Sequence, residues 1–406
     1  MSSAPLPHII FDLSRLMWRA TRQSPTGIDR VELAYARHLI AAAPERLSFT
    51  GWWHRFALLP KAKAMDLVRI LDEIWSGAGP ASQDDAIALA GKLRRHAMLV
   101  GELPLYFHVS RLGQPMVYLH VSHYRLHRPR PLRRFKRRTD ARMVFFVHDL
   151  IPISHAEHVA QGDDQEHVER MDAVAALADQ VVVNTEGTAA ALRRHFAEDG
   201  FSVPIAAVPL GIDLRAPART APQAATPYFI CIATIESRKN HMLLLKVWER
   251  LAATLGDKTP RLVLAGRRGW KHEPVIETIA ASPVLRTLVE EHSGISDAAM
   301  AGLLAGARAL LYPTFAEGFG LPVVEAMTLG VPVLCSDLPE LREVGGTVPE
   351  FLDPHDPELW LRTILNYAQP HSPAAEAQCW RRQGWRPPSW EAHFAAVQPL
   401  IDGLQR

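Results

Sequence analysis

The chain has 406 residues, of which 48% are hydrophobic and 22% are charged. This length exceeds one ordinary hydrophobic core and predicts two domains of about 150–200 residues each. The formal net charge of +2 gives no overall basic character of the kind that would indicate nucleic-acid binding. The three cysteines, Cys231, Cys335 and Cys379, match no zinc or disulfide spacing, which favours a reducing compartment.

The amino-terminal sequence lacks the pattern of a signal peptide, because Asp12 and Arg15 interrupt its short apolar run. No apolar stretch approaches the roughly 18–20 residues that a membrane-spanning helix needs. These features predict a cytoplasmic protein that is at most peripheral on the inner face of the cell membrane.

Short apolar runs alternate with longer segments of helical spacing, such as Arg30–Ala43, Val168–Ala178 and His241–Leu255. Continuous apolar runs are typical of parallel strands that are buried on both faces. The alternation predicts doubly wound α/β domains. The predicted strands are Ile9–Leu13, Ser48–Trp53, Val117–Val121, Met143–Val147, Val181–Val183, Ile205–Val208, Tyr228–Ala233, Leu262–Ala265, Ala309–Tyr312 and Val331–Cys335.

The Ala- and Pro-rich segment Leu214–Pro227 has no periodicity and predicts an interdomain linker. A second Pro-rich stretch, Gln369–Pro388, reads as irregular and precedes an apparent helix, Trp390–Leu404. We therefore predict a first domain over residues 1–210, completed by 389–406, and a second domain over 211–388.

Two positions in the first half are candidates for ligand contacts. Gly27 precedes a helix, so its backbone can approach a phosphate, and an ordinary helix-entry turn is the alternative. His148 ends the predicted strand Met143–Val147, and in open parallel sheets ligands gather at the carboxyl ends of strands. A lone histidine there is more often structural, but the continuation Leu150-Ile151-Pro152 favours a functional position.

Arg125–Arg142 is strongly basic, with Leu132 and Phe135 interleaved. A basic amphipathic stretch indicates an anionic membrane surface or a polyanion. A solvated charged face is the alternative.

After the strand Tyr228–Ala233 come Arg238 and Lys239, followed by Asn240 at a predicted helix start. Asn240 fits an N-cap, and adjacent cations beside a helix N-terminus suit a diphosphate. A solvated basic turn is the alternative. Arg267 and Arg268 follow the next strand, and a solvated turn is again the alternative there.

The most informative segment runs from Tyr312 to Met327. A buried strand is followed by a loop with Gly318 and Gly320, which permit close backbone approach to a ligand. Pro322 suits the first turn of a helix that Gly330 ends. Such a helix N-terminus offers free N–H groups and a positive dipole end to an anion such as phosphate.

Two carboxylates frame this helix start. We predict that Glu325 lies in the first turn, where it reaches ribose hydroxyls, and that Glu317 accepts hydrogen bonds from a sugar ring. Without this loop, the pair would indicate only a helix-dipole partner and a solvated side chain.

The segment from Glu317 to Glu325, with Gly330-Val331-Pro332-Val333 after it, resembles the two-glutamate motif of family-four retaining glycosyltransferases, the group 1 glycosyl transferases. The resemblance implies that Glu325 binds the nucleotide ribose and that Glu317 holds the transferred sugar with the backbone of a glycine-rich loop. The donor-binding residues of that loop are Gly318, Phe319, Gly320 and Leu321.

The same resemblance implies phosphate contacts from Arg238 and Lys239, and a nucleotide loop at Arg267. It places the base against Gly294 and Ile295, and His148 at the sugar. Many relatives have Gly-Arg where this chain has Ala233-Thr234, so one expected arginine is missing and Arg238 is its substitute. Thr26–Val31 resembles a subset that builds bacterial surface polysaccharide.

Together these features predict a GT-B fold, in which two Rossmann-like domains face a cleft and the last helix returns to the first domain. The first domain would bind the acceptor and the second the donor. We expect retaining transfer of a sugar from a nucleotide-sugar, with GDP-mannose favoured over UDP-sugars, to a saccharide or lipid-linked acceptor. The resemblance implies no cofactor and no metal, since cations neutralise the diphosphate. The alternatives are a GT-B epimerase or phosphorylase, and a non-catalytic scaffold that binds membranes or polyanions.

Overall fold

The structure is a computed structural model that describes residues 5–22, 24–53, 55–214 and 227–404. The chain divides into two compact units. The first comprises Met1–Ile153, Gly162–Gly211 and Ser389–Arg406, and the second comprises Ser154–Gln161 and Ile212–Pro388. Nearly all of the predicted linker Leu214–Pro227 lies outside the described residues.

A seven-stranded sheet forms the centre of the first unit, with the order β3-β2-β1-β4-β5-β6-β7. All neighbouring pairs are parallel except β2 and β3. Because both faces are covered, strands such as β1 are buried along their whole length. The strands are β1 (His8–Asp12), β2 (Leu47–Trp52), β3 (Phe56–Leu58), β4 (Met116–His120), β5 (Arg142–Val147), β6 (Gln180–Val183) and β7 (Ile205–Ala207).

Nine helices of the first part of the chain accompany this sheet within the described residues. Their apolar faces pack onto the sheet, as where Leu132 and Phe135 of the basic helix α6 are buried while its arginines point outward. The helices are α1 (Ser14–Arg19), α2 (Gly27–Ala42), α3 (Lys61–Ser76), α4 (Gln83–Val100), α5 (Leu103–Leu112), α6 (Arg130–Thr139), α7 (Ile151–Ser154), α8 (Asp163–Leu177) and α9 (Glu186–Glu198).

The second unit has a six-stranded parallel sheet with the order β10-β9-β8-β11-β12-β13. This order is that of a complete Rossmann sheet. Its strands are β8 (Tyr228–Ile232), β9 (Arg261–Ala265), β10 (Val289–His292), β11 (Leu310–Tyr312), β12 (Val333–Ser336) and β13 (Glu350–Leu352). Its helices are α10 (His241–Leu255), α11 (Glu273–Ala281), α12 (Pro283–Leu288), α13 (Asp297–Ala305), α14 (Leu321–Leu329), α15 (Pro339–Gly345), α16 (Pro357–Ala368) and α17 (Pro373–Arg382).

The last helix, α18 (Trp390–Asp402), belongs to the first unit. His393 anchors it, since its Nδ1 lies 2.8 Å from the carbonyl oxygen of Pro209 and its Nε2 lies 2.8 Å from the Tyr35 hydroxyl. Arg46 donates to Asp402 at 2.8 Å. The expected return of the terminal helix to the first half of the chain is confirmed.

All ten predicted strands are present, with ends shifted by at most two residues. Sequence periodicity missed β3, β10 and β13, which are short or carry charged residues. The prediction that Gln369–Pro388 is irregular was wrong in part, because α17 lies within it. Pro373 is in the first turn of α17, where its missing N–H costs nothing, and Ser372 caps the helix by accepting from the N–H of Ala375.

The order of each sheet reverses between two neighbouring strands, β1 and β4 in the first unit and β8 and β11 in the second. Loops at the carboxyl ends of such strands diverge and leave a crevice for ligands. The loop after β8 carries Arg238 and Lys239, and the loop after β11 carries Glu317. The topology therefore brings these residues together although about 78 positions separate them. Within the described ranges, no helix is both long and apolar enough to cross a bilayer.

Candidate donor site

The glycine-rich loop follows β11 and leads into α14, as predicted. Gly320 precedes the helix with φ of 92°, a left-handed conformation that disfavours side chains. A Cβ at this position would also lie 2.5 Å from a methyl group of Leu341. Pro322 is in the first turn, and Gly330 ends the helix with φ of 78°. The loop conformation that presents the helix N-terminus therefore depends on glycine at 320.

Lys239, Tyr312 and Glu317 form a hydrogen-bonded cluster in the crevice between the two loops. The Lys239 ammonium donates to the Tyr312 hydroxyl at 2.9 Å and to Oε2 of Glu317. The same Oε2 accepts from the Tyr312 hydroxyl at 2.6 Å. The other carboxylate oxygen accepts from the backbone N–H of Gly318 at 3.3 Å. These bonds fix the orientation of the Glu317 carboxylate at the start of the glycine-rich loop.

Arg238 ties the two loops together. Its guanidinium donates to the carbonyl oxygen of Ala316 at 2.6 Å and to Glu236 at 2.8 Å, and it lies 3.6 Å from Oε2 of Glu317. Its own carbonyl oxygen accepts from the N–H of Phe315 at 2.9 Å. Arg238 thus contributes positive charge to the cluster and also holds the loop in place.

The charges in the cluster set its protonation state. Burial alone would raise the pKa of Glu317, but the charges of Lys239 and Arg238 and the hydrogen bonds from Lys239 and Tyr312 outweigh it and lower the pKa to about 2. Burial and the neighbouring Arg238 lower the pKa of Lys239, and the charge of Glu317 opposes that shift. The carboxylate is therefore ionised at neutral pH in a site where only 7% of Lys239 is exposed.

The cluster has donors to spare for an anion. Lys239 has three N–H groups, and in the part of the chain that the structure describes two of them have partners, Tyr312 and Glu317. Glu236 and Glu317 balance the charges of Arg238 and Lys239. An arriving diphosphate would therefore meet fixed, oriented donors rather than a large excess of positive charge.

Two details of the sequence prediction were wrong. Glu325 is the fifth residue of α14 and lies in its second turn, because the helix already begins at Leu321. Asn240 precedes α10, but its side chain does not cap the helix. Its Nδ2 instead donates to the carbonyl oxygen of Pro354 at 2.9 Å, and its left-handed φ of 55° turns the chain into the helix.

The remaining loop residues divide into buried and exposed positions. Phe319 is buried, so its side chain supports the loop while its backbone stays near the helix start. Leu321 is the first residue of α14 and is half-buried, as is Glu325. Glu325 therefore has partial access to solvent on the same helix that presents its N-terminus.

The loop after β9 lies against the loop after β8. The carbonyl oxygen of Arg267 accepts from the N–H of Ile235 at 2.8 Å. Gly266 permits this approach, because a Cβ there would lie 1.9 Å from the carbonyl oxygen of Ala233. The Arg267 side chain is exposed, whereas both guanidinium contacts of Arg268 are with Glu291, at 2.9 Å. Arg267 is therefore the better placed of the two for a ligand.

Gly294 and Ile295 lie between β10 and α13. Gly294 is exposed with φ of 68°, and a Cβ there would meet nothing within 4 Å. Ile295 is half-buried, and the hydroxyl of Ser296 caps α13 by accepting from the N–H of Ala299 at 3.3 Å. The contact of this turn with a base stays a prediction.

Gly27 and His148 belong to the first unit. Gly27 is the exposed first residue of α2, after a capping box of Thr26 and Asp29. His148 lies directly after β5, and its Nε2 donates to the carbonyl oxygen of Val121 at 2.7 Å. Burial lowers the pKa of His148 to about 4, although the Val121 carbonyl opposes the shift. His148 is therefore neutral at pH 7, and the roles of both residues stay predictions.

Sequence reasoning gave no role to Tyr312 or Glu236. Tyr312 ends β11 and bonds to both Lys239 and Glu317, and Glu236 pairs with Arg238. The signal for Tyr312 was its place at the carboxyl end of a strand at the reversal of the sheet. Nothing in the sequence predicted the Glu236 pair, since it depends on the conformation of a four-residue loop.

Comparisons with known proteins identify the family that the second half of the chain resembles. Residues 215–364 match the family model described as Glycosyl transferases group 1. The serotype-specific mannosyltransferase WbdA of Escherichia coli is 28% identical over 262 residues, which is 59% of this chain and 32% of WbdA. The O-antigen chain mannosyltransferase B of Escherichia coli is 36% identical over 145 residues, 36% of this chain and 38% of that protein. The chain thus spans about a third of the length of these relatives.

Two solved structures resemble the whole chain. Sucrose-phosphate synthase (tll1590) from Thermosynechococcus elongatus has a TM-score of 0.65 and 16% identity, covering 98% of this chain and 99% of that one. Anabaena Alr3699/HepE in complex with UDP-glucose also has a TM-score of 0.65, with 14% identity over 98% of this chain and 100% of that one. At these identities the likeness shows the fold alone, which is GT-B with two Rossmann-like units.

Proposed function

From a chain that carries a group 1 glycosyltransferase domain within the GT-B fold, we propose that this protein transfers a sugar, with retention of anomeric configuration, from a nucleotide-sugar to a saccharide acceptor. The observation that carries the proposal is the cluster of Arg238, Lys239, Tyr312 and Glu317 beside the N-terminus of α14. It combines fixed donors for a diphosphate with an oriented carboxylate for sugar hydroxyls.

The chemistry of the step is the departure of a nucleoside diphosphate. Negative charge grows on the leaving phosphate oxygens, and donors that are already oriented stabilise it without reorganising. Arg238, Lys239 and the positive end of the helix dipole at the start of α14 fill this role. Removing one such donor typically costs about 100–1,000-fold in turnover. Glu317 holds the sugar, and Glu325 and the loop at Gly294 and Ile295 hold the nucleoside.

Retention follows from the resemblance to family-four transferases, in which the leaving phosphate itself takes the proton of the acceptor hydroxyl. The same resemblance assigns His148 to the reaction centre, where burial, which lowers its pKa to about 4, would keep it neutral. No general base is needed on this route, so the ionised Glu317 acts only as a hydrogen-bond acceptor.

The proposed donor is a mannose nucleotide. The printed names of the curated relatives WbdA and O-antigen chain mannosyltransferase B are those of mannosyltransferases. HepE was solved with UDP-glucose, which gives a second hypothesis with uridine in place of guanosine as the nucleoside of the donor. We favour GDP-mannose, with UDP-sugars as the alternative, and an acceptor that is a growing surface glycan such as an O-antigen chain.

The acceptor belongs to the first unit in this proposal and the donor to the second. A lipid-linked acceptor would place the protein in the cytoplasm at the inner face of the membrane, with Arg125–Arg142 toward anionic lipid. The same stretch is partly occupied within the unit, since Arg134 pairs with Glu102 and Arg142 pairs with Asp179. Only its exposed arginines are free to serve a surface.

Calorimetric titration with GDP, UDP, ADP, GDP-mannose and UDP-glucose tests the donor class. We expect GDP and GDP-mannose to bind and ADP not to bind. Lys239→Met should weaken nucleotide binding at least tenfold, because a buried donor to the diphosphate is lost. Arg250→Met is the matched control, since Arg250 is exposed and pairs with Glu358 on the surface of the same unit. Equal binding by both variants would contradict the site.

The same titration, together with a donor turnover assay, tests the expectation that no metal is needed. We propose that Arg238 and Lys239 neutralise the diphosphate, so excess chelator should leave GDP affinity and donor turnover unchanged. Restoration of a lost activity by added Mg²⁺ or Mn²⁺ would contradict this part of the proposal.

A further inference from the structure

Three large apolar side chains protrude from the first unit. Leu99 is 82% exposed, Leu103 is 76% exposed and Phe107 is 64% exposed. We call these three residues the apolar ridge. Soluble surfaces carry scattered apolar residues, but neighbouring large ones mark an interaction site.

The local structure explains why these residues point outward. Leu99 lies at the end of α4, and Gly101, with φ of 65°, turns the chain into α5. Leu105 and Val109 form the buried face of α5, which leaves Leu103 and Phe107 on the opposite face. These two are four residues apart in one helix and are neighbours on its surface. Leu103 and Phe107 therefore share the exposed face of α5, and Leu99 comes just before that helix, at the end of α4.

The segment around the ridge is strongly basic. Residues 86–139 contain twelve lysines and arginines and one acidic residue, Glu102. Arg134 of α6 pairs with Glu102, so the charge of this glutamate is neutralised from within the segment. The guanidinium of Arg111 lies 4.8 Å from the ring of Phe107, and that of Arg138 lies 5.0 Å from the ring of Tyr106 on the same helix. The exposed cations of this segment are Lys92, Arg95, Arg111, Arg128, Arg130, Arg133, Arg137 and Arg138.

We propose that the apolar ridge enters the headgroup region of an anionic lipid bilayer while the surrounding arginines contact lipid phosphates. Protruding leucine and phenylalanine beside arginine is the chemistry of an interfacial membrane contact. A second copy of the chain would bring arginines against arginines. A nucleic acid would use the cations but leave Leu99 and Leu103 without apolar partners. The surface therefore fits a bilayer better than either.

This inference deepens the proposed function, on which it rests for its purpose: a lipid-linked acceptor lies at such a surface. Its test does not depend on transfer. Vesicle binding is measured by sedimentation with phosphatidylglycerol–phosphatidylcholine vesicles and with pure phosphatidylcholine vesicles. We expect binding to the anionic vesicles that weakens with salt, since surface charges are screened within about 8 Å at physiological ionic strength.

The decisive variant is Leu99→Ser, Leu103→Ser and Phe107→Ser together, which leaves every charge in place. We expect at least a tenfold loss of partitioning to anionic vesicles. A matched control replaces exposed apolar residues elsewhere, Phe201→Ser and Trp380→Ser, which are 40% and 70% exposed, and should partition like the wild type. All of these side chains are exposed, so folding should be retained, and unchanged GDP titration in each variant verifies the donor unit.

A fluorophore sensitive to polarity reports insertion directly. Cys379 is exposed, whereas Cys231 and Cys335 are buried, so a label can be placed at position 107 in Phe107→Cys with Cys379→Ser. Anionic vesicles should shift its emission to the blue, and a label on native Cys379 should not shift. Vesicle binding unaffected by the triple variant, or equal binding of the triple variant and the wild type to duplex RNA with no binding to vesicles, would overturn the proposal.

Discussion

The two Rossmann-like units shift the pKa of a buried glutamate in opposite directions. Glu317 of the second unit is surrounded by Lys239, Arg238 and Tyr312, and its pKa falls to about 2. Glu32 of the first unit is fully buried in α2, and burial raises its pKa well above the usual range, although Arg15 opposes the shift. Its Oε1 accepts from the N–H of Leu16 at 3.4 Å, and its Oε2 has no partner among the described residues.

Both glutamates lie near a reversal of strand order, so position in the fold does not decide their charge. What decides it is whether cations and donors converge on the carboxylate strongly enough to exceed the desolvation cost. The second unit meets that condition with two cations on one oxygen. In the first unit the nearby carboxylates Asp12 and Asp29 raise the pKa of Glu32 further. The two environments thus shift the pKa values of the two carboxyl groups in opposite directions.

The largest expected effect comes from Glu317→Gln. This change leaves Lys239 buried without its negative partner, and breaking a buried ion pair in this way costs about 3–5 kcal/mol. Denaturant unfolding measures the stability, and donor turnover should fall about 100-fold or more because an oriented acceptor is lost. A loss below about 1 kcal/mol would show that the pair is not part of a tight cluster.

The second effect is the acid sensitivity of the first unit. Burial lowers the pKa of His393 to about 4, against the opposing Pro209 carbonyl. Between pH 6.5 and 4 the unfolded chain then binds a proton that the folded chain does not. The contribution of His393 to the unfolding free energy is therefore fully present above pH 6.5 and is lost as the pH falls toward 4. At about 1.4 kcal/mol per pKa unit, His393 alone accounts for a loss of about 3 kcal/mol.

We propose to measure this pH dependence by comparing the unfolding free energies at pH 7 and pH 4.5, in the wild type and in His393→Phe. The variant loses the hydrogen bonds to Pro209 and Tyr35 and starts from a lower stability. It should nevertheless show a smaller difference between the two pH values. An unchanged pH slope would mean that His393 is not held in its neutral form.

A third prediction concerns Glu317 at lower pH. Its lowered pKa contributes stability that is complete above about 4.5 and is lost as the pH falls toward 2. Tyr312→Phe removes one hydrogen bond to the carboxylate, which typically contributes about 1.5–3 kcal/mol when one partner is charged. Acid unfolding of the second unit should therefore begin at a higher pH in Tyr312→Phe than in the wild type. Hydrogen exchange of the backbone amides of that unit measures the onset. Coincident curves for wild type and variant would remove Tyr312 from the cluster.

The smallest effect is expected for Glu32→Gln, the counterpart of the largest. Burial favours the neutral form of Glu32, which glutamine resembles in shape and charge. We therefore expect the exchange to alter the unfolding free energy at pH 7 by less than about 1 kcal/mol. A loss as large as that of Glu317→Gln would mean that Glu32 is ionised after all, and the contrast between the units would fail.

The sequence was informative where a pattern is local. Apolar runs placed ten strands, His241–Leu255 was predicted at its observed bounds, and Pro322 and Gly330 marked the two ends of α14 correctly. Resemblance then brought Glu317, Arg238 and Lys239 into one site. Short or charged strands such as β10 were missed, because their stability comes from pairing with neighbours rather than from their own periodicity.

Features that depend on three-dimensional convergence could not be predicted. The partners of Asn240 and Arg134 lie far away in the sequence, at Pro354 and Glu102. The raised pKa of Glu32 likewise follows from complete burial, which cannot be read from an acidic residue in an amphipathic helix. The exposure of Leu99 was hidden for the opposite reason, since apolar residues near a helix end usually predict core.

The central claim of this comparison is that cations and donors lower the pKa of Glu317 in its cluster, while burial raises the pKa of Glu32. Infrared difference spectra of the wild type against Glu317→Gln and against Glu32→Gln, recorded at pH 7, test it directly. We expect Glu317→Gln to remove a carboxylate band and Glu32→Gln to remove the carbonyl band of a protonated carboxyl group. Loss of a protonated-carboxyl band in Glu317→Gln would contradict the ionised state of Glu317 in its cluster.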